Sequence, residues 1–93
     1  MEEMIKKFKE EYRSVFMLYL EANNLVDDTA QHPENYDEEQ KRSAWHRYKC
    51  ASGRRHEIRK IARIFGYTYE DTVDMEDEFY KDYKQGDIWF LLN

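Results

Sequence analysis

The chain has little of what interrupts a helix or crosslinks a fold. Its 93 residues include three glycines, one proline and one cysteine. So little Gly and Pro excludes a loop-rich or collagen-like architecture and leaves helices joined by few turns. A single cysteine, Cys50, excludes an intrachain disulfide and points to a reducing, cytoplasmic setting. The longest apolar run near the start, Val15 to Leu20, falls far short of the roughly 20 residues that span a bilayer. The opening MEEMIKKFKEEY lacks the apolar core of a secretory signal, so no membrane partner is expected. No phosphate loop or dinucleotide fingerprint is present, and no cofactor is expected.

What the chain does have is charge and aromatic surface. Charged residues make up 38% and aromatic residues 16%, which suits a helical domain with a ring-filled core and excludes a wholly disordered chain. A domain of this size buries somewhat over ~60% of its unfolded surface, so that core is modest.

Ile5, Phe8, Tyr12, Val15, Tyr19, Ala22 and Val26 alternate by three and four, as a helix seam requires, and predict a helix over about 2–29. Asp27 and Asp28 oppose the dipole at its far end, where fraying is expected. Pro33 disfavours helix at His32 and makes QHPENY the linker. Asp37 and Gln40 have capping-box spacing and open a second helix over about 37–65, with Gly66 as its stop. Ala44, Tyr48, Ala51, Ile58, Ala62 and Phe65 form its seam, with Ile61 beside it. Thr68 and Asp71 form a second candidate box. The third helix is expected over about 69–84, with Gln85-Gly86 as its stop and Tyr69, Val73, Met75, Phe79, Tyr80 and Tyr83 on one side. The apolar end, DIWFLLN, is expected to dock as a short tail. The expected fold class is all-α: a single domain over 1–93 in which a long antiparallel helical hairpin and a third helix make a small bundle. The first seam is long enough to reach beyond a monomer's core, which leaves room for a homodimer.

Charge is segregated along this frame. Residues 41–63 hold nine bases and one acid, while residues 64–93 hold eight acids and two bases, within a chain of formal net charge −5. On a helical wheel Lys41, Arg42, Lys49, His56, Arg59, Lys60 and Arg63 share an arc of about 100°, opposite the apolar seam. Trp45 lies in the middle of that arc, where an indole can stack on a base or take a cation over its face. On the third helix Glu70, Asp74, Asp77, Glu78 and Asp82 share an arc of about 140°. Arg47, Arg54 and Arg55 fall off the outer arc. An unpaired buried guanidinium is prohibitive, so internal acids are expected for them among Glu11, Glu21 and Glu76; a kink at Gly53 is the competing geometry.

His46 and Cys50 are four apart and share a helix face, but no second pair completes a metal site, and a buried Cys beside a surface His is the plainer expectation. The same two residues lack an orienting third group for nucleophilic catalysis, and an enzyme is not expected. The small run Cys50-Ala51-Ser52-Gly53 is expected to admit a bulky side chain such as Phe16 or Tyr19 from another helix.

Function is therefore sought on the charged faces. The favoured expectation is a non-enzymatic interaction protein that binds a basic protein partner, such as a nuclease or other nucleic-acid-binding protein, through Glu70, Asp74, Asp77, Glu78, Asp82 and Tyr80. Spaced carboxylates can imitate a phosphate array. In size, charge and helicity the chain resembles the small acidic helical proteins, anti-CRISPR proteins among them, with which phages block host nucleases. That resemblance implies a phage or mobile-element inhibitor or regulator. The alternatives are a nucleic-acid-binding regulator using Trp45, Lys49, Arg59, Lys60 and Arg63, against which the flanking acids weigh, and a structural coiled-coil dimerisation module.

Overall fold

The computed structural model describes residues 2–92, and the side chains of residues 2–84. The order is α1 (Glu2–Gln31), a 3₁₀ turn (Pro33–Asn35), α2 (Glu38–Ile64) and α3 (Tyr69–Leu92). The all-α bundle follows, with no strand among the described residues.

Each helix boundary has a local cause. α1 runs past Asp27 and Asp28 without fraying, because the Tyr36 hydroxyl donates to the Asp28 carboxylate and the His32 N–H closes on the Asp28 carbonyl at 2.8 Å. Pro33 opens the 3₁₀ turn, where its missing N–H is not needed. At the start of α2 the capping box forms: the Gln40 N–H donates to Asp37 Oδ1 at 2.7 Å and the Asp37 N–H donates to Gln40 Oε1 at 2.9 Å. Its end is a Schellman motif. Gly66 takes φ +93°, its N–H reaches the Arg63 carbonyl, and the Tyr67 N–H reaches the Ala62 carbonyl, each at 3.0 Å. Thr68 and Asp71 cap α3 reciprocally, at 2.8 and 3.1 Å.

The expected stop at Gln85-Gly86 is not used, and α3 continues to Leu92. A glycine inside a helix costs only about 1 kcal/mol relative to alanine, and no proline follows to enforce a break. The residues expected to form a separate docked tail are thus the last turns of α3. Whether their side chains dock lies outside the described residues.

α1 and α2 pack antiparallel, since Phe8 meets Phe65 near one end and Tyr19 meets Tyr48 towards the other, with ring centroids 4.9 and 5.8 Å apart. α3 then crosses one face of this hairpin in the direction of α1. Phe79 packs between Tyr12 and Phe16, and Asn24 donates to the Tyr83 hydroxyl at 2.8 Å. Phe8, Tyr12, Val15, Phe16, Leu20, Ile58, Ala62 and Phe79 make the core. Of the residues expected on one side of α3, Phe79 is buried and Val73, Met75 and Tyr83 are half-buried, but Tyr69 and Tyr80 face outward. The inward stripe instead contains Thr72 and Glu76, which are both buried. The helix is rotated relative to its apolar wheel because a carboxylate in its centre finds cations across the interface.

Candidate functional site

Glu76 is 5% exposed and sits where the three helices meet. Its Oε1 accepts from Arg55 Nη2 at 2.5 Å and from Arg59 Nη2 at 2.8 Å. Its Oε2 accepts from the Nε of Arg59 at 2.9 Å, more weakly from the Nε of Arg55 at 3.4 Å, and from the Tyr12 hydroxyl. One carboxylate is therefore gripped by two guanidinium forks from α2 and one phenol from α1, which saturates its lone pairs. The surplus positive charge of two arginines is eased by their partial exposure and, for Arg55, by the faces of Tyr19 and Phe16 at 4.4 and 5.2 Å.

The acid–base balance of this latch follows from its neighbours. Burial pushes the Glu76 carboxyl up, but the donors Arg55, Arg59 and Tyr12 outweigh it and hold the group below its ordinary value. Burial first, and the hydrogen bond to Glu76 second, push the Tyr12 phenol well above its ordinary value. The hydrogen bond to Glu76 likewise raises Arg59.

Arg55 finds an internal acid, as expected of the off-arc arginines. Arg47 and Arg54 do not: both are exposed and form no ion pair among the described residues. Arg59 departs in the other direction. Expected on the outer arc with the nucleic-acid set, it turns inward, one helical turn beyond Arg55, because its long side chain can reach a buried carboxylate that a wheel does not show. The other members of that set remain outside. Trp45 is 50% exposed, stacked on Tyr48 at 5.6 Å with the Lys49 ammonium over its ring. Lys60 pairs with Glu57 at 3.5 Å, and Arg63 is exposed.

The acidic set lies together on the outer face of α3. Glu70, Asp74, Asp77, Glu78 and Asp82 are all exposed, and Tyr80 stands beside them with the Lys84 ammonium 5.2 Å from its ring centroid. Among the described residues only Asp82 is met by a cation of the chain, Arg13 at 3.5 Å.

No family model, curated protein or solved structure matches this chain.

Two further expectations change. Cys50 is exposed, with its sulfur 3.7 Å from His46 Nε2, because within the small run on α2 only Ala51 is buried, while Cys50 and Gly53 lie exposed beside it. A Cβ built on Gly53 would meet nothing within 4 Å, while Phe16 and Tyr19 turn to the opposite side, towards Arg55. Among the described residues no group of three metal-ligating side chains comes together, and no helix is long and apolar enough to cross a membrane.

Proposed function

We propose that the chain is a non-enzymatic interaction protein of the cytoplasm that engages a basic protein partner through the outer face of α3. The observation that carries this reading is the row Glu70, Asp74, Glu78 and Asp82, with Asp77 beside it, exposed and answered within the described chain by Arg13 alone. Successive members of the row are four residues apart. Like charges at that spacing destabilise a helix by about 0.2–0.5 kcal/mol per pair. A fold with cations to spare on α2 leaves this repulsion unrelieved, and a partner's lysines and arginines would relieve it. Tyr80 adds rigid contact area with a polar tip. Occupying a cationic groove in this way would inhibit or regulate a protein that otherwise binds nucleic acid.

The runner-up, a nucleic-acid binder, is supported by the exposed Trp45 with Lys49 over its face, but Arg59 is committed to Glu76, and Glu57 lies beside Lys60 in an exposed pair. A coiled-coil dimeriser built on the α1 seam has less support, since Phe8, Tyr12, Val15 and Ala22 are buried within the chain's own fold.

The test pairs binding with stability. Asp74→Lys with Asp77→Lys removes capture of a basic partner from nuclease-treated lysate, while the free protein becomes more stable by about 0.5 kcal/mol as the row is interrupted. Lys49→Glu with Arg63→Glu leaves capture intact. Capture that survives reversal of Asp74 and Asp77 overturns the proposal. Salt-sensitive binding of short DNA that is lost on Lys49→Glu with Arg63→Glu favours the runner-up.

A further inference from the structure

The hairpin has two faces, and α3 covers one. On the other, a cleft of about 270 Å³ floored by Val15, Ala22 and Ala51 adjoins a more open one of about 630 Å³ that reaches Gly53, Ile58 and Ile61. Both include Val15, Cys50 and Arg54, so they form one continuous groove between α1 and α2. Leu18 stands on its rim, 49% exposed. Glu11 and Glu21 flank the groove from α1, and Arg47 and Arg54 flank it from α2. None of these four forms an ion pair among the described residues, although opposite charges face each other across the groove.

We propose that this face docks a second copy of the chain. A two-fold interface presents the same patch from both sides, so the patch must complement itself. This one does. It offers an apolar projection, Leu18, beside a groove floored by small side chains, and it carries two unpaired charges of each sign. Two-fold pairing sets the acids of one copy against the arginines of the other, which the groove prevents within a single copy. The hairpin face, about 40 Å long, the length of α2, and about 20 Å wide, two helices across, has room for the roughly 800 Å² per copy of a specific interface, and the groove, about 20 Å long from Arg47 to Ile61, occupies its centre. A partner of one charge sign would leave half of these groups unanswered. The dimer leaves the acidic face of α3 outward on both copies, so it stands whether or not the proposed function does.

Sedimentation equilibrium of the full chain tests the proposal. The wild-type chain is expected to be dimeric at about 100 μM. Leu18→Glu raises the dissociation constant about 100-fold with helicity unchanged by circular dichroism. Glu57 also lines the groove but is paired with Lys60. Glu11→Arg with Glu21→Arg therefore makes every unpaired charge of the face cationic, and Arg47→Glu with Arg54→Glu makes every one anionic. Each variant alone is monomeric, and a one-to-one mixture restores the dimer. The sole cysteine supplies a second readout, because Cys50 lines the groove: its alkylation by a maleimide slows as the wild-type concentration rises, and stays fast in Leu18→Glu. A wild-type chain that is monomeric at that concentration leaves the groove to a different protein and overturns the proposal. So does a dimer indifferent to Leu18→Glu and to charge sorting, since it uses another face.

Discussion

Glu76 and Glu78 lie two residues apart on α3 under opposite conditions. Glu76 faces the hairpin, is buried, and is met by two guanidinium groups and a phenol. Glu78 faces away, is exposed, and has acids one helical turn on either side. The inner carboxylate fixes where α3 sits. The outer ones contribute nothing to that position and repel one another. The same side chain is thus structural on one face and available for recognition on the other, and what decides is whether a cation of the chain can reach it. Part of α2's excess of bases is an internal counter-charge for Glu76; the remainder stays on the surface.

Truncating each residue tests the contrast most strongly. Glu76→Ala strands Arg55 and Arg59 partly buried and removes the acceptor from Tyr12. Deleting one partner of a buried pair costs about 3–5 kcal/mol, and the partial exposure of both arginines lowers the expectation to about 2–4 kcal/mol. Glu78→Ala changes stability by less than about 0.5 kcal/mol, in the stabilising direction, because it removes like-charge pairs. Urea unfolding monitored by circular dichroism measures both. Equal effects would refute the division between the faces.

Much of this frame was legible in the residues. The α1 seam, both capping boxes, the Gly66 stop and the outward acid row each follow from local spacing, and each appears in the structure. The latch was only half legible. Glu76 could be suspected as an acid for off-arc arginines, and periodicity sets Arg55 with Arg59 on one face of α2 and Arg47 with Arg54 on another, but it does not say which pair meets Glu76. That choice is made by which face of the hairpin α3 covers, a tertiary fact. The same fact exposed Cys50 and Gly53, whose small side chains promised a close helix approach that occurs on neither of them. Gly86 misled for a different reason: a stop signal of about 1 kcal/mol is weak unless a proline or a polar cap reinforces it.

The latch also predicts how stability varies with pH. Glu76 has its folded value lowered from 4.5, so its contribution is fully present above that value and is lost as the pH falls through the folded one. Tyr12 has its folded value raised from 10.0, so its contribution is present below pH 10 and is lost progressively above it, as the unfolded chain ionises and the folded chain resists. Stability is therefore expected to fall on both sides of a broad plateau. Glu76→Gln flattens the acid limb and lowers the plateau. Tyr12→Phe flattens the alkaline limb and lowers the plateau by only about 1 kcal/mol, since Glu76 keeps its arginines. An alkaline limb unchanged by Tyr12→Phe would assign that limb to exposed tyrosines and remove the phenol from the latch.

The smallest effect concerns Asp82, the one acid of the outer row that meets a cation of the chain among the described residues. Arg13 and Asp82 are each about half exposed, at 3.5 Å, so their pair is largely screened and contributes roughly 0–0.5 kcal/mol. Arg13→Ala should hardly move the unfolding midpoint, and what shift there is should vanish in high salt. Its effect on recognition has the opposite sign. Removing Arg13 leaves Asp82 unanswered and extends the free acid row by one member, so a cationic partner binds more tightly, by a few-fold at low ionic strength and by less as salt is added. Weaker capture by Arg13→Ala would mean that the partner is held by Arg13 itself and reads the edge between α1 and α3, not the acid row.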